Sequence, residues 1–541
     1  MLYLLYLLYL LYLLYLLYLI DLIDLISFVL ILIINVIHFS TVSFMMLFLP
    51  SLLTGLTTGT LSYWLVILIL IVNFIFIMAL IFMERADPRS TISWILVLIL
   101  IPILGFIVYL FIGQTVYRSH QFKLKKKDDD KLLATQNEVI RLLKAKEKEG
   151  KSDEEIEIYQ MSEAFMKAGG SFYTEDNDVE LFTEGEKKFS RMFEDLRNAK
   201  KFIHIEYYII RNDKLSNEFM DILIEKVKEG VEVRLMIDAI GNNKGPKKRL
   251  AEFEKAGGEF TTFHKIITVF LSPKKNNRNH RKIAVIDGTI GYVGGFNIGD
   301  EYLGKGPLGF WRDSAVRVEG IGVYTMNLRF MMDWEYASHK ELPLDTKYYP
   351  LIAPKTGRNK KMQLISGGPD TIRNPIQTEY LKLINTAKKT IYLHTPYLIP
   401  DPTIRDALIL AGYSGVDVRI IMPNKPDHPF VYWAGLAFAG QLIKDGSVRV
   451  YNYNRGFVHS KTMVVDGKYC SVGSANFDER SLKLNFETNA VVYSEEIGKE
   501  MVDAFMDDLK YCTEYTEEMY DNRNLWLRFK MGISRLAAGL L

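Results

Sequence analysis

The chain has 541 residues, with 66 Lys and Arg against 64 Asp and Glu. That is room for a membrane segment and two ordinary domains, and the near-zero balance gives no support to a nucleic-acid binder that relies on bulk phosphate neutralisation. Two cysteines, Cys470 and Cys512, make neither a disulfide framework nor a zinc site.

Residues 1–112 are dominated by Leu, Ile, Val, Phe and Tyr, and nearly all the charge lies beyond them. The opening MLYLLYLLYLLYLLYLLYLI repeats with period three, which does not match a helical turn, so its tyrosines drift around every face. No Lys or Arg precedes it, as a secretory signal requires. Residues 1–62 are assigned to a low-complexity apolar extension with a candidate membrane helix at 25–49. Roughly the first 44 residues are expected to lie outside the native protein, with Met45 or Met46 an alternative start. Tyr63–Met83 and Ser93–Ile112 each carry about the 20 apolar residues that cross a bilayer, which predicts a transmembrane hairpin over 63–113. Arg118, Lys123, Lys125, Lys126 and Lys127 follow it, whereas its loop is balanced by Glu84 and Asp87. The positive-inside bias then puts the rest of a multi-pass cell-membrane protein in the cytoplasm.

After a charged helical connector (114–166), strand and helix signals alternate, and they recur. AKKFIHIEYYII (199–210) is similar to AKKTIYLHTPYLI (387–399), and GVEVRLMID (230–238) to GVDVRIIMP (415–423). The predicted fold class is α/β: membrane helices, then two pseudo-twofold-related α/β/α sandwich lobes over 167–350 and 351–541. The strongest recurrence is NHRKIAVIDGTIGYVGGFN against VHSKTMVVDGKYCSVGSAN. His280, Lys282, Asp287 and Asn297 map onto His459, Lys461, Asp466 and Asn476 at one constant offset.

Residues i and i+2 of a strand share a face, so each His-x-Lys forms an imidazole–ammonium pair. Such a pair makes sense around an anion, and phosphate is the obvious one. Asp287-Gly288 and Asp466-Gly467 also read as hairpin turns. Gly294, Gly295, Gly473 and Ser474 are expected to offer open N–H groups, beside the amides of Asn297 and Asn476, to phosphate oxygens. Two histidines at one phosphodiester supply a nucleophile and a general acid without a metal. No cofactor or metal is expected.

These residues resemble the paired HKD motifs of the phospholipase D superfamily, over about 170–541, and within it the bacterial cardiolipin synthases. GGFNIGDEYLG, FWRDSAVRVEG, HTPYLIPD and NFE look like that family's catalytic signatures, and Met83–Gln114 looks like its paired membrane helices. The resemblance implies lobes of the phospholipase D type and condensation of two phosphatidylglycerols into cardiolipin and glycerol. It implies His280 as nucleophile and His459 as acid and base, with the reversed assignment open, and Lys282, Lys461, Asn297 and Asn476 on the phosphate oxygens. Asp287 and Asp466 complete the motifs. A histidine so used needs a carboxylate to fix its tautomer, for which Asp313 of WRD and Glu487 of NFE are the candidates, each equally readable as an ordinary surface or turn carboxylate.

The expected partners are phosphatidylglycerol, anionic membrane lipids and the membrane, with no nucleic acid. Hydrolysis, transfer to another alcohol, and a lipid-binding scaffold with a degenerate site are the rival readings; two complete motifs speak against the last. Asn524–Leu541 interleaves Arg528, Lys530 and Arg535 with Trp526, Leu527, Phe529 and Ile533. It reads equally as a basic interfacial helix and as one packed on the catalytic domain.

Overall fold

The computed structural model describes residues 60–83, 88–100, 105, 109, 140–142, 144–145, 152–263, 277–343, 345–352, 357–371 and 374–536. The chain divides into two compact units, Met1–Ser119 and His120–Leu541. In the first, α1 (Thr60–Met83) and α2 (Pro88–Leu100) are tied by Asn73 Nδ2, which donates to the Leu98 carbonyl at 3.1 Å. Leu80, Leu98 and Tyr109 are buried together, while Trp64, Leu68, Ile71 and Phe74 stay exposed. Among the described residues no helix is long and apolar enough to cross a membrane. The hairpin expected over 63–113 therefore stands here as a pair of packed apolar helices, its second half described to Leu100 and then at Gly105 and Tyr109. The period-three repeat, the candidate helix 25–49 and the basic cluster 118–127 lie outside the described residues.

The second unit opens on α3 (Asp153–Gly169), started by the Ser152 hydroxyl, which accepts from the Glu155 N–H, and stopped by Gly170 at φ 69°. One run of elements follows: β1 (Tyr173–Phe182), α4 (Gly185–Asn198), β2 (Phe202–Tyr207), α5 (Lys214–Lys228), β3 (Glu232–Asp238), α6 (Lys247–Ala256), β4 (Glu259–Phe263), β5 (Arg278–Asn279), β6 (Ile283–Ile286), β7 (Ile290–Gly294), β8 (Phe310–Arg312), β9 (Ala315–Gly320) and α7 (Gly322–Ser338). The second run starts with β10 (Lys360–Gly367), α8 (Pro375–Thr386), β11 (Thr390–His394), α9 (Pro402–Tyr413), β12 (Asp417–Pro423), α10 (Pro429–Gly446) and β13 (Arg449–Tyr453). It continues with β14 (Gly456–Val458), β15 (Thr462–Val465), β16 (Tyr469–Gly473), α11 (Glu479–Lys483), β17 (Asn485–Tyr493), α12 (Glu495–Leu509), β18 (Cys512–Glu514), α13 (Glu517–Asp521) and α14 (Leu525–Leu536).

Outward from a central antiparallel β1–β10 pair, one half of the sheet runs β9, β7, β6, β2, β3, β4. The other runs β17, β16, β15, β11, β12, β13, with β18 on the last edge. Each place is thus filled by the corresponding strand of the other repeat. β2–β3–β4 and β11–β12–β13 are parallel, as α/β crossovers require, and the inner strands are antiparallel, so the sheet is mixed. Helices α4–α6 and α8–α10 each share a core with their own repeat's strands. A third core, under α7 and α12, draws on both repeats, from Val293 and Phe330 to Val464 and Phe505. The two sandwich lobes expected from the duplication are joined as halves of one sheet, because β1 and β10 satisfy what would otherwise be two open edges.

The motif aspartates belong to this framework. Thr289 N–H donates to Ile286 O, and Lys468 N–H to Val465 O, each across a turn whose Asp and Gly both have positive φ (52° and 70°; 53° and 67°). The Asp287 carboxylate accepts from the N–H groups of Lys200, Lys201 and Phe202 at 2.7–3.0 Å. Asp466 does the same for Lys388, Lys389 and Thr390 at 2.8–2.9 Å. Each aspartate sits five residues along the strand from its lysine, or roughly 16 Å at strand rise, and fastens the hairpin to the head of β2 or β11. Replacing either by Ala removes a charged acceptor from three donors and is expected to lower unfolding free energy by about 2 kcal/mol. A denaturant titration showing an unchanged midpoint in Asp287→Ala and Asp466→Ala would refute this anchoring role.

Candidate active site

The residues before each histidine leave their own repeat. β5 pairs in parallel with the start of β17, Arg278 against Asn485 and Asn279 against Phe486, and the His280 N–H then donates to the Phe486 carbonyl at 2.9 Å. The next residue of that partner strand is Glu487, and His280 Nδ1 lies 2.9 Å from both of its carboxylate oxygens. The other repeat does the same in reverse. β14 pairs in parallel with β8, the His459 N–H donates to the Arg312 carbonyl at 2.7 Å, and His459 Nδ1 meets Asp313 Oδ2 at 2.6 Å. Facing a carboxylate, Nδ1 carries the hydrogen and Nε2 keeps its lone pair for chemistry.

Both carboxylates are fully buried and compensated. Glu487 accepts from Ser474 Oγ at 2.5 Å and Asn485 Nδ2 at 3.1 Å. Asp313 accepts from the Ser314 N–H at 2.7 Å, and a Cβ on Gly295 would lie 2.1 Å from its Oδ1, so only glycine fits there. Beneath them lie two buried arginines that the motif comparison did not reveal. Arg281 bonds Asp333 at 2.6 Å and the Glu487 carbonyl at 3.2 Å. Arg312 bonds Asp508 at 2.6 Å and the Asp313 carbonyl at 2.6 Å. Arg281 stands between His280 and Lys282 and so points to the opposite side of the strand; a charge in that position was the available signal.

The sequence assigned phosphate contacts to residues that the structure uses otherwise. The N–H groups of Gly295, Gly473 and Ser474 donate to the carbonyls of Ser314, Lys461 and Thr488, so they are not open donors. Gly294 allows close approach of Ala315, whose Cα would lie 2.5 Å from an added Cβ. Asp287 and Asp466, expected to complete the motifs and to form turns rather than to bind phosphate, are the hairpin anchors described above. The two asparagines also differ. Asn297 donates to the Tyr302 hydroxyl at 2.6 Å and accepts from the Ile209 N–H, whereas Asn476 Oδ1 is buried with no hydrogen-bond partner among the described residues. Aromatic rings that sequence reasoning did not single out line the histidines. Tyr208 lies 4.9 Å from His280, and Trp311 and Tyr302 lie 5.5 and 5.9 Å from His459.

Burial pushes both imidazoles down to about 4. For His280 the Glu487 charge opposes this while Lys282 and Lys461 add to it; for His459, Lys461 adds and Asp313 opposes. Burial likewise lowers Lys282 to about 7 and Lys461 to about 8, against the pull of Glu487 and Asp313. Burial would raise Glu487, but His280, Lys282 and Ser474 hold it below the ordinary carboxyl range. Each ammonium donates to the carbonyl of its own histidine. Histidines and lysines from both repeats thus form one electrostatic cluster, and an anion set among them would raise all four.

A conserved-domain description reading "Cardiolipin synthase, PLD-like domain" matches residues 192–305 and 380–509, and one reading "Phospholipase D-nuclease N-terminal" matches 71–114. A cardiolipin synthase of Staphylococcus aureus (strain Mu50) is 42% identical over 473 residues, 87% of this chain and 95% of the relative. One of Listeria monocytogenes serotype 4a is 42% identical over 487 residues, 89% of this chain and 100% of the relative. Among solved structures, a phosphatidylserine synthase from Haemophilus influenzae shares the fold, with a TM-score of 0.55 at 14% identity over 71% of this chain and 100% of that one. The fold and its paired histidine motifs are those of the phospholipase D superfamily. Within it, the chain belongs to the cardiolipin synthase family.

The depressed groups set a pH dependence of stability. The imidazoles titrate at an ordinary 6.5 once unfolded but at about 4 when folded, so between those values the unfolded chain holds more protons and stability falls as pH drops. The lysines fall from 10.5 to about 7 and 8, so without an anion stability rises again as pH climbs from those folded values toward 10.5, by roughly 1.4 kcal/mol per pH unit for each group. Thermal unfolding from pH 4 to 10 is expected to show both rises, with the upper one flattened by tungstate, a phosphate mimic. The same upper rise in Lys282→Met, Lys461→Met would contradict the assignment.

Proposed function

We propose that the chain is a membrane-bound phosphatidyltransferase that condenses two phosphatidylglycerols into cardiolipin and glycerol. The observation that carries this reading is the reciprocal pairing of two buried imidazoles, each with a carboxylate of the other repeat and a lysine two residues on, which supports two equivalent groups acting on one phosphodiester. The substrate diester, an anion, raises the depressed lysines and His459 into their charged forms. His280 Nε2 attacks phosphorus. The bond to the headgroup glycerol oxygen breaks, and that oxygen takes the proton from His459 Nε2. Glycerol leaves, and the terminal hydroxyl of a second phosphatidylglycerol takes its place. His459 removes its proton, its oxygen attacks phosphorus, and the phosphorus–nitrogen bond breaks to free His280. Lys282 and Lys461 stabilise the charge on the non-bridging oxygens. The unpartnered Asn476 Oδ1 suits a hydroxyl donor of the lipid headgroup, and Asp313 and Glu487 keep the imidazoles in the reactive tautomer.

In this reading residues 167–350 and 351–541 are the two catalytic lobes, and the apolar helices over 63–113 anchor them. The exposed apolar side chains of α1 support that anchoring. The basic cluster from Arg118 to Lys127 supports a cytoplasmic catalytic unit.

Purified protein incubated in detergent micelles with labelled phosphatidylglycerol and a chelator is expected to yield cardiolipin and glycerol; phosphatidic acid alone would replace the reading with hydrolysis. His280→Ala and His459→Ala should each lower turnover by about 10³-fold or more, and Glu487→Gln and Asp313→Asn by about 10²-fold or more. A quenched phosphatidyl adduct should map to the His280 peptide, and an adduct on His459 would reverse the roles.

A further inference from the structure

The C-terminal helix α14 shows both faces that its sequence left open. Met531 and Ser534 are buried, and Leu527 packs with Met531 against the core of the second repeat. A second stripe, Leu525, Trp526, Phe529, Ile533 and Leu536, stays exposed, from 45% at Ile533 to 83% at Leu525. At about 100° per residue these five project into a sector roughly 100° wide, on the far side from the packed face. Lys530 borders the sector on one margin, and Arg528 and Arg535, both exposed, on the other.

The stripe continues toward the active site. Trp526 stacks on Phe529 at 5.6 Å, and Lys530 Nζ sits 4.5 Å over the ring of Trp433 on α10. Trp433 in turn meets Phe430 at 5.7 Å, and Phe430 is 54% exposed at the head of that helix. The loop before it, 424–428, is exposed throughout. Its Asp427 accepts from the Tyr397 hydroxyl and lies close enough to act on the charge of Lys461. An aromatic and basic track therefore leads from α14 to the rim of the site.

We propose that this track is an interfacial docking surface for a bilayer containing anionic phospholipid, with Trp526 and Phe529 seated at headgroup depth and the three bases on lipid phosphates. Charge selects this occupant. Cations on both margins match an anionic lipid surface, whereas a second copy docked face to face would set its Arg and Lys margins against their own kind. The phosphatidyl-transfer reading explains why docking is useful, since it brings the rim to the reacting headgroup, but the docking itself does not depend on that chemistry.

The test uses the full chain reconstituted into phosphatidylcholine vesicles with brominated acyl chains, with and without phosphatidylglycerol. The fluorescence lost in Trp526→Phe isolates the signal of Trp526. That signal is expected to be quenched about twofold or more in anionic vesicles and less in neutral ones. Phe529→Asp with Ile533→Asp should abolish the quenching and lower turnover in vesicles about tenfold, while turnover in mixed micelles stays within about twofold. An unquenched Trp526, or equal quenching in both vesicle types, overturns the proposal. So does equal loss of turnover in micelles and vesicles, which would make the stripe structural. A drop in particle mass in detergent on introducing the two aspartates would assign the face to a second copy instead. Quenching is read without turnover, so it stands or falls separately from the proposed reaction.

Discussion

Each buried imidazole is held by a carboxylate that belongs to the other repeat, and this crossing constrains everything around it. For His280 to reach Glu487, β5 must leave its own half and lie along β17; for His459 to reach Asp313, β14 must lie along β8. A buried carboxylate is tolerable only if its remaining lone pairs are satisfied. Hence Ser474 and Asn485 on one and the Ser314 N–H on the other. The strands that carry the acids are fixed in turn by Arg281 and Arg312, each paired with a buried aspartate. Hydrogen-bonded networks in a low-dielectric interior strengthen together and fail together, so neither half-site has an independent geometry.

The twofold likeness is imperfect in chemically useful ways. Glu487 is one methylene longer than Asp313 and offers both oxygens to its histidine, and the position that holds Ser474 in one repeat holds Gly295 in the other. Asn297 is engaged on both ends of its amide, whereas Asn476 Oδ1 has no partner among the described residues. Two nominally equivalent imidazoles therefore see different surroundings, which is what a reaction needs when one group is to be attached to phosphorus and the other to move protons.

Much of this was legible in the sequence because repetition marks position. The α/β order, the hairpins after each His-x-Lys and the short buried strands followed from periodicity and turn chemistry, and Asp313 and Glu487 stood out as acids beside signature residues. What spacing does not encode is which repeat a side chain serves. Asp287 and Asp466 complete the motifs and also read as turn residues; they sit at the far end of a strand, where each carboxylate holds three backbone N–H groups. Gly295 and Ser474 looked like open backbone, yet just past the ends of β7 and β16 their N–H groups are already taken by the Ser314 and Thr488 carbonyls. The merging of two sandwiches into one sheet rests on β1 and β10, and pairing between distant strands leaves no local trace.

The central β1–β10 ladder also joins the two halves that carry the site. Halves joined by a hinge can part to release one molecule and close on the next. Here a continuous hydrogen-bonded sheet and a shared core join the halves, so parting them would break the β1–β10 ladder. In the proposed reaction, exchange of the headgroup fragment for a second lipid then runs along one rim, and the shape and charge of that rim set its selectivity.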